Sequence, residues 1–204
     1  MFSIKLPKIS ILKRKTPKFV SNKKQSIQAE PLQRDFRCTK DLFVYAKQRC
    51  IQALNQPEPY EHVVIADTKK NKVIVEYVGN SKYCRIDGFE KLNLDKQNTV
   101  LIHGHPSSTP ISPGDIYTLL NSNLTQVVAI NDKGKFSLVA KSAKFDKNVD
   151  KAYKRFRNDH FDLTSEMLFH NAYDLYNNAS DYMLKKHSPL MGLRYCSNYD
   201  YLRK

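Results

Sequence analysis

His103-Gly104-His105-Pro106, with Asp115 further along the chain, brings together residue types that can bind a metal ion. The apolar run Thr99-Val100-Leu101-Ile102 leads directly into His103 and reads as a strand. Side chains alternate along a strand, so His103 and His105 point the same way across Gly104. Two imidazoles on one face, a few ångströms apart, can share one metal. Gly104 allows another chain or a substrate to approach the backbone, and Pro106 ends the strand, so the pair sits at an edge or end of the sheet. A catalytic zinc takes three protein ligands and keeps one exchangeable position. Asp115, at the start of a helix after a loop that can fold back over the histidines, is the third ligand in this reading.

Each piece also has a plainer reading. An isolated H-x-H on a strand is more often coincidence than a metal site. Ser112-Pro113-Gly114-Asp115 is a good helix start, with Ser at the N-cap, Pro at the first helical position and Asp at the third. The two readings are compatible, because a cap fixes the position of its carboxylate.

The elements that must position these residues can be read from periodicity and punctuation. A helix is predicted over 39–55, capped by Thr39, with Leu42, Ala46, Cys50, Ala53 and Leu54 on one stripe. Pro57 and Pro59 end it. A doubly buried strand is predicted over 62–67 and its hairpin partner over 73–78. A short strand over 83–86 and a helical turn or two over 89–94 follow. A helix is expected over 112–121, then a hairpin of strands 126–130 and 136–140 around Asn131-Asp132-Lys133-Gly134. From residue 144 the pattern turns helical, with segments over about 146–161 and 164–186; in the second, Leu168, Leu175, Ala179 and Tyr182 share a face. Most aromatics of this region are expected in core or helix-pairing contacts, and 195–201 as either an exposed binding tail or a packed terminus. The organisation expected is a basic arm over 1–35, an α/β domain over 36–143, and a helical C-terminal extension over 144–204.

Composition frames these elements. The chain has 204 residues, 41% apolar and 26% charged, as in ordinary soluble globular proteins. No apolar run is long enough for a membrane span, and no secretory signal is evident. Cys38, Cys50, Cys84 and Cys196 form no C-x-x-C pair and read as reduced thiols. The expectation is a cytoplasmic protein, with delivery as an effector or virion component as the alternative. The net charge of +14 is uneven: residues 1–29 hold eight basic residues and no acid, leaving 26 basic against 20 acidic residues, or +6, for the other 175. The plain reading of the arm is a solvated tail. The sharper readings are an address signal, or an arm that holds nucleic acid or an anionic membrane surface; with only Phe2 and Phe19 as stacking aromatics, base-specific recognition has little support.

Residues 103–115 resemble the signature of the JAMM (JAB/MPN) metallohydrolases, in which H-x-H-P is followed by S-x-x-D with a glutamate upstream. The words His103-Gly104-His105-Pro106-Ser107 and Ser112-Pro113-Gly114-Asp115-Ile116 look most like the RadC-type and the phage- or toxin-associated bacterial branches. The resemblance covers about residues 39–141. One departure is that nine residues (106–114) separate His105 from Asp115, where the deubiquitinating members usually have ten. The resemblance implies a JAB/MPN-like fold with a mixed β-sheet flanked by helices, Zn2+ on His103, His105 and Asp115, and hydrolysis of a peptide or isopeptide bond in a protein or peptide substrate such as a ubiquitin-like conjugate. It implies a glutamate as general acid/base, and Glu61, placed just before the strand at 62–67, matches that position; Glu58 and Glu76 are the alternatives, and Glu90 reads as surface. It also implies that the Ser112 hydroxyl stabilises the oxyanion. The rival functions are a RadC-like or phage-associated protein acting near DNA, and a non-catalytic MPN scaffold.

Other histidines point away from competing metal folds. His62 could support the site from behind, and His160, His170 and His187 fall in helical or terminal segments where packing accounts for them. Amidohydrolases and polymerase-type phosphoesterases need further histidines on later strands, a cupin needs a glutamate shortly after the pair, and H-E-x-x-H is absent.

Overall fold

In a computed structural model, the residues described are 34–198 except 82, 83, 85, 87–91, 93, 95, 96, 108, 147, 170 and 171, together with the side chains of all but 166, 168, 169 and 173. The elements are β1 (Arg34–Asp35), α1 (Thr39–Leu54), β2 (His62–Asp67), β3 (Lys72–Val78), β4 (Thr99–Gly104), α2 (Pro113–Leu120), β5 (Gln126–Ile130), β6 (Phe136–Lys141), α3 (Asp150–Phe169), α4 (Tyr173–His187), a 3-10 turn (Ser188–Met191) and β7 (Leu193–Ser197). Residues 1–33 of the expected basic arm, most of the expected short strand over 83–86 and most of the expected turn over 89–94 lie outside the described residues; the last two residues of the arm, Arg34 and Asp35, form β1 and pair with β3.

Among the described residues, seven strands form one mixed sheet in the order β1-β3-β2-β4-β5-β6-β7. All pairings are antiparallel except β4 with β5. The central strands β2 and β4 are buried along their whole length, as their unbroken apolar runs require. Alternation along them builds two cores. Val64, Ala66, Val100 and Ile102 pack under the Leu42, Ala46 and Cys50 stripe of α1. Val63, Ile65, Leu101 and Ala129 face the other way, against Ile116 and Leu119 of α2, Phe156 of α3 and Leu184 of α4. The sheet is thus covered by helices on both faces.

Several expectations change. Helix α1 is capped at Cys38 without a side-chain bond; Thr39 Oγ1 instead donates to Asn71 Oδ1 at 2.8 Å. The break expected after 161 lies after Phe169. Thr164, read as a start signal, sits inside α3 and donates to the His160 carbonyl one turn back at 2.6 Å. Leu175 and Tyr182 of α4 are exposed, as is Phe161 of α3. The buried side of α4 carries polar groups with partners: Ser180 meets His160 at 3.0 Å, and Asp181 accepts from Tyr195 and Ser197 at 2.7 Å each. Those last two bonds tie α4 to β7, so the extension is not wholly helical: its described end is a strand added to β6. Among the described residues, no helix is long and apolar enough to cross a membrane.

Candidate metal centre

Strand β4 ends at Gly104, and the His105 N–H continues its ladder by donating to the Ile130 carbonyl at 2.8 Å. The histidines therefore stand at the end of a central strand rather than at a sheet edge. Gly104 points to the opposite face, where a Cβ would meet Leu54 at 3.2 Å and Cys50 at 3.4 Å. What comes close to this glycine is the protein's own helix α1.

His103 and His105 project on the α2 side with ring centroids 4.5 Å apart and planes at 78°. The small side chains of Ala129 and Ser137, in register with His103 across β5 and β6, leave space beside the rings. The loop from Pro106 to Ser112 folds into that space, anchored by buried Ile111, whose N–H donates to Ser137 Oγ at 2.8 Å. Helix α2 then starts with a complete capping box: Ser112 Oγ accepts from the Asp115 N–H at 3.2 Å, and Asp115 Oδ2 accepts from the Ser112 N–H at 2.8 Å and hydroxyl at 2.7 Å. From the other side of α2, the Tyr153 hydroxyl donates to the Pro113 carbonyl at 3.1 Å. The cap reading of this segment is met, and the cap fixes the Asp115 carboxylate where it faces both imidazoles.

Asp115 Oδ1 lies 3.4 Å from His103 Nε2, and Oδ2 lies 3.4 Å from His105 Nε2. One donor atom from each residue falls within 4.8 Å of the others, so His103, His105 and Asp115 form a group that can hold a metal ion. The remaining ring nitrogens set the tautomers. His105 Nδ1 lies 2.9 Å from the Thr109 carbonyl, which only accepts, so Nδ1 carries the proton. His103 Nδ1 lies 2.7 Å from Glu61 Oε1 and donates to that carboxylate. With Nδ1 so engaged, the neutral form of each ring would present its Nε2 lone pair to the shared point, the arrangement typical of metal-ligating histidines. His103 Nε2 is buried with no hydrogen-bond partner, and a buried polar atom left without one is costly. A cation there would satisfy it. With Oδ2 held by Ser112, Oδ1 is the freer of the two Asp115 oxygens.

Burial raises the Asp115 carboxyl, but nearby His103 and His105 and the Ser112 N–H outweigh it and hold it well below the usual carboxylate range. Burial lowers His105, but Asp115 outweighs that and raises it. Asp115 is thus held as the carboxylate that ligation needs, while the raised His105 favours its protonated ring, so a binding cation must displace that proton.

Glu61 is fixed just before β2, its N–H donating to the Asn80 carbonyl at 2.9 Å and its carbonyl accepting from Gly79 at 2.8 Å. It lines a cavity of about 370 Å³ with His105, Ser112, Asp115, Thr109 and Cys84. Burial, then the charge of Glu61, pushes the Cys84 thiol up to about 12, so it stays protonated.

The five residues singled out for chemistry, Glu61, His103, His105, Ser112 and Asp115, thus come together. The alternatives do not. Glu58 is exposed, and Glu90 and His170 lie outside the described residues. Glu76 and His62 face α1 on the opposite side of the sheet, 2.7 Å apart, so His62 does not support the site. The sequence reading missed Thr109, which orients His105; Ser137, which pins the loop; and Tyr153, which holds the start of α2. Only Ser137 left a signal, as one small polar residue in the apolar run 136–140.

No protein-family model, no curated protein and no solved structure matches the chain.

Proposed function

We propose that this chain is a zinc-dependent hydrolase of the JAMM (JAB/MPN) type that cleaves a peptide or isopeptide bond, with His103, His105 and Asp115 as ligands. The observation that carries this reading is the buried, unpartnered Nε2 of His103, facing an Asp115 carboxylate shared with His105, at the motif that resembles the JAMM signature. A set of two nitrogens and one carboxylate oxygen suits zinc at a catalytic site. When bound, such an ion acts as a Lewis acid and lowers the pKa of water to about 7.

The chain's own groups supply the rest. Glu61 uses Oε1 to hold the His103 ring, while the carboxylate lines the cavity. It takes a proton from the attacking water and delivers it to the leaving amine. Ser112 donates to the oxyanion once its hydroxyl turns from Asp115 Oδ2. The small, mostly uncharged lining of Ser81, Pro106, Ser107, Thr109 and Gly114 admits an extended backbone.

Incubating the zinc-loaded protein with peptides and ubiquitin-like isopeptide conjugates tests this. Cleavage by wild type and its loss in Glu61→Gln, with metal retained, is the expected result. Zinc binding with no cleavage of any member of the panel contradicts the hydrolase reading.

A further inference from the structure

The two faces of the sheet are covered unequally. Helices α2, α3 and α4 pack on one. Among the described residues, one helix, α1, packs on the other, seated on β4 with β2 and β5 to either side. Beyond α1 lies an apolar groove of about 450 Å³, walled by Phe43 and Val44 of α1, Val128 and Ile130 of β5, and Phe136 and Leu138 of β6. Val44 is 46% exposed, and Phe43, Phe136 and Leu138 are half-buried.

The dimensions of the groove suit one more helix. Helices packed side by side stand about 10 Å apart, which is two strand spacings. A helix beside α1 would therefore lie over β6, with β5 and β7 flanking it as β2 and β5 flank α1. Strand β6, with 6 residues, is about 20 Å long, and about 14 residues of helix cover that length.

Charge selects the kind of helix. Lys40 and Lys47 line the groove on the α1 side, and no acidic residue lines it; Asp41, the acid of α1, is not among its walls. On the far side, Leu193 and Tyr195 of β7 pack toward α3 and α4, so Arg194 and Cys196 point to the groove side by alternation, exposed, opposite Ala140 and Leu138. At the end of the groove, the β5–β6 turn that Lys47 reaches carries Asp132 between two faces of lysine, Lys133 and Lys135. An apolar floor between cationic margins matches an amphipathic helix whose apolar stripe is bordered by acids. A second copy of this chain is a poor match, because its net charge is +14 and pairing two such grooves would bring Lys40, Lys47 and Arg194 against like charges. The flanking segments carry the same sign: residues 1–33 hold eight basic residues and one acid, and residues 199–204 two basic residues and one acid.

We propose that the groove beside α1 is a docking site for an acidic amphipathic helix of a partner protein. The partner helix lies alongside α1, its apolar stripe on Val128, Phe136 and Leu138 and its acids toward Lys40 and Lys47 on one side and Arg194 on the other. The groove is on the face opposite His103, so this proposal stands or falls separately from the hydrolase reading.

Three labelled peptides of about 14 residues, titrated into the full-length protein by fluorescence anisotropy, test it. One has a leucine stripe bordered by glutamates, the second has lysines for the glutamates, and the third has serines for the leucines. The first should bind saturably and the other two about 10-fold or more weakly. Lys40→Glu with Lys47→Glu, both exposed positions, should weaken the glutamate peptide by about 10-fold and tighten the lysine peptide. Bound glutamate peptide should shift the methyl resonances of Val44, Val128 and Leu138 and leave those of Ile116 and Leu119, on the other face, in place. The proposal is overturned if no peptide binds, if the lysine peptide binds as tightly as the glutamate one, or if the double variant binds the glutamate peptide as well as wild type. It is equally overturned if the shifts fall elsewhere, or if the free protein shows nuclear Overhauser contacts to the groove methyls from residues 1–33, from residues 199–204 or from a second copy.

Discussion

The sheet carries two histidine–carboxylate pairs with the same 2.7 Å separation on opposite faces: His62 with Glu76 under α1, and His103 with Glu61 beside α2. Only the second has the makings of a reactive site. Glu76 is completed by its neighbours, since Tyr45 donates to Oε1 and Arg49 donates to Oε2 alongside His62. Burial raises Glu76, but His62, Tyr45 and Arg49 together outweigh it and bring it down to about 2. That pair is a closed polar network in a packed layer. At the other pair, His103 keeps a buried nitrogen with no partner, a second imidazole and a second carboxylate converge on it, and Glu61 lines a cavity. A histidine beside a carboxylate does not make a site. Unspent donor capacity with room around it does.

Removing each of the two carboxylates is the strongest way to break this comparison. Glu61→Gln keeps an acceptor for His103 Nδ1 but removes the proton acceptor, so turnover should fall about 10²–10⁴-fold with metal content unchanged. Glu76→Ala should leave metal content alone and instead lower stability, by about 3 kcal/mol in denaturant unfolding, because His62 and Tyr45 lose a buried partner. Arg49, 39% exposed at its side chain, contributes little of that. If Glu76→Ala abolished metal binding, the separation of the two faces would be wrong.

Acid sharpens the same contrast. The Glu76 carboxyl sits below its ordinary value of 4.5, at about 2. A depressed folded-state pKa stabilises the fold above the unfolded value, and that contribution is lost as pH falls from about 4.5 toward 2. Acid titration of stability should show this loss in wild type, with a flatter profile over that window in Glu76→Gln.

Ser112→Ala should cost about 1 kcal/mol through the cap and, by removing one of the two bonds that hold Asp115 Oδ2 while the backbone N–H keeps the other, weaken metal binding about 10-fold in competition titrations. Gly104→Ala should have the smallest effect, about 1 kcal/mol or less in thermal unfolding, since the new methyl meets the side chains of Leu54 and Cys50 and points away from His103 and His105.

Much of this was legible in the residues. The apolar runs at 63–66 and 99–102, the Asn131 to Gly134 turn and the Ser112-Pro113 start all mark their elements, because each is a local signal of period, punctuation or capping. The long-range facts were not. That Glu76 faces away from Glu61 depends on strand parity and on the register shift between Ile65 and Ala66. That α3 continues past Thr164 depends on a hydroxyl bonding back to His160 rather than capping forward. Strand β7 alternates Leu193 and Tyr195 inward, but its reason for being a strand is the free edge of β6, which no local pattern announces. Thr109 serves through its backbone carbonyl, so its side chain gave no sign of the role.

The most direct test is the zinc affinity of the purified full-length protein beside His103→Ala and Asp115→Ala, by competition with a chromogenic chelator. About one ion per wild-type chain, with at least 100-fold weaker binding in both variants and folding retained, is the result expected from three ligands converging on one point. Wild-type protein that binds no zinc, or variants that bind it as tightly as wild type, would contradict the account.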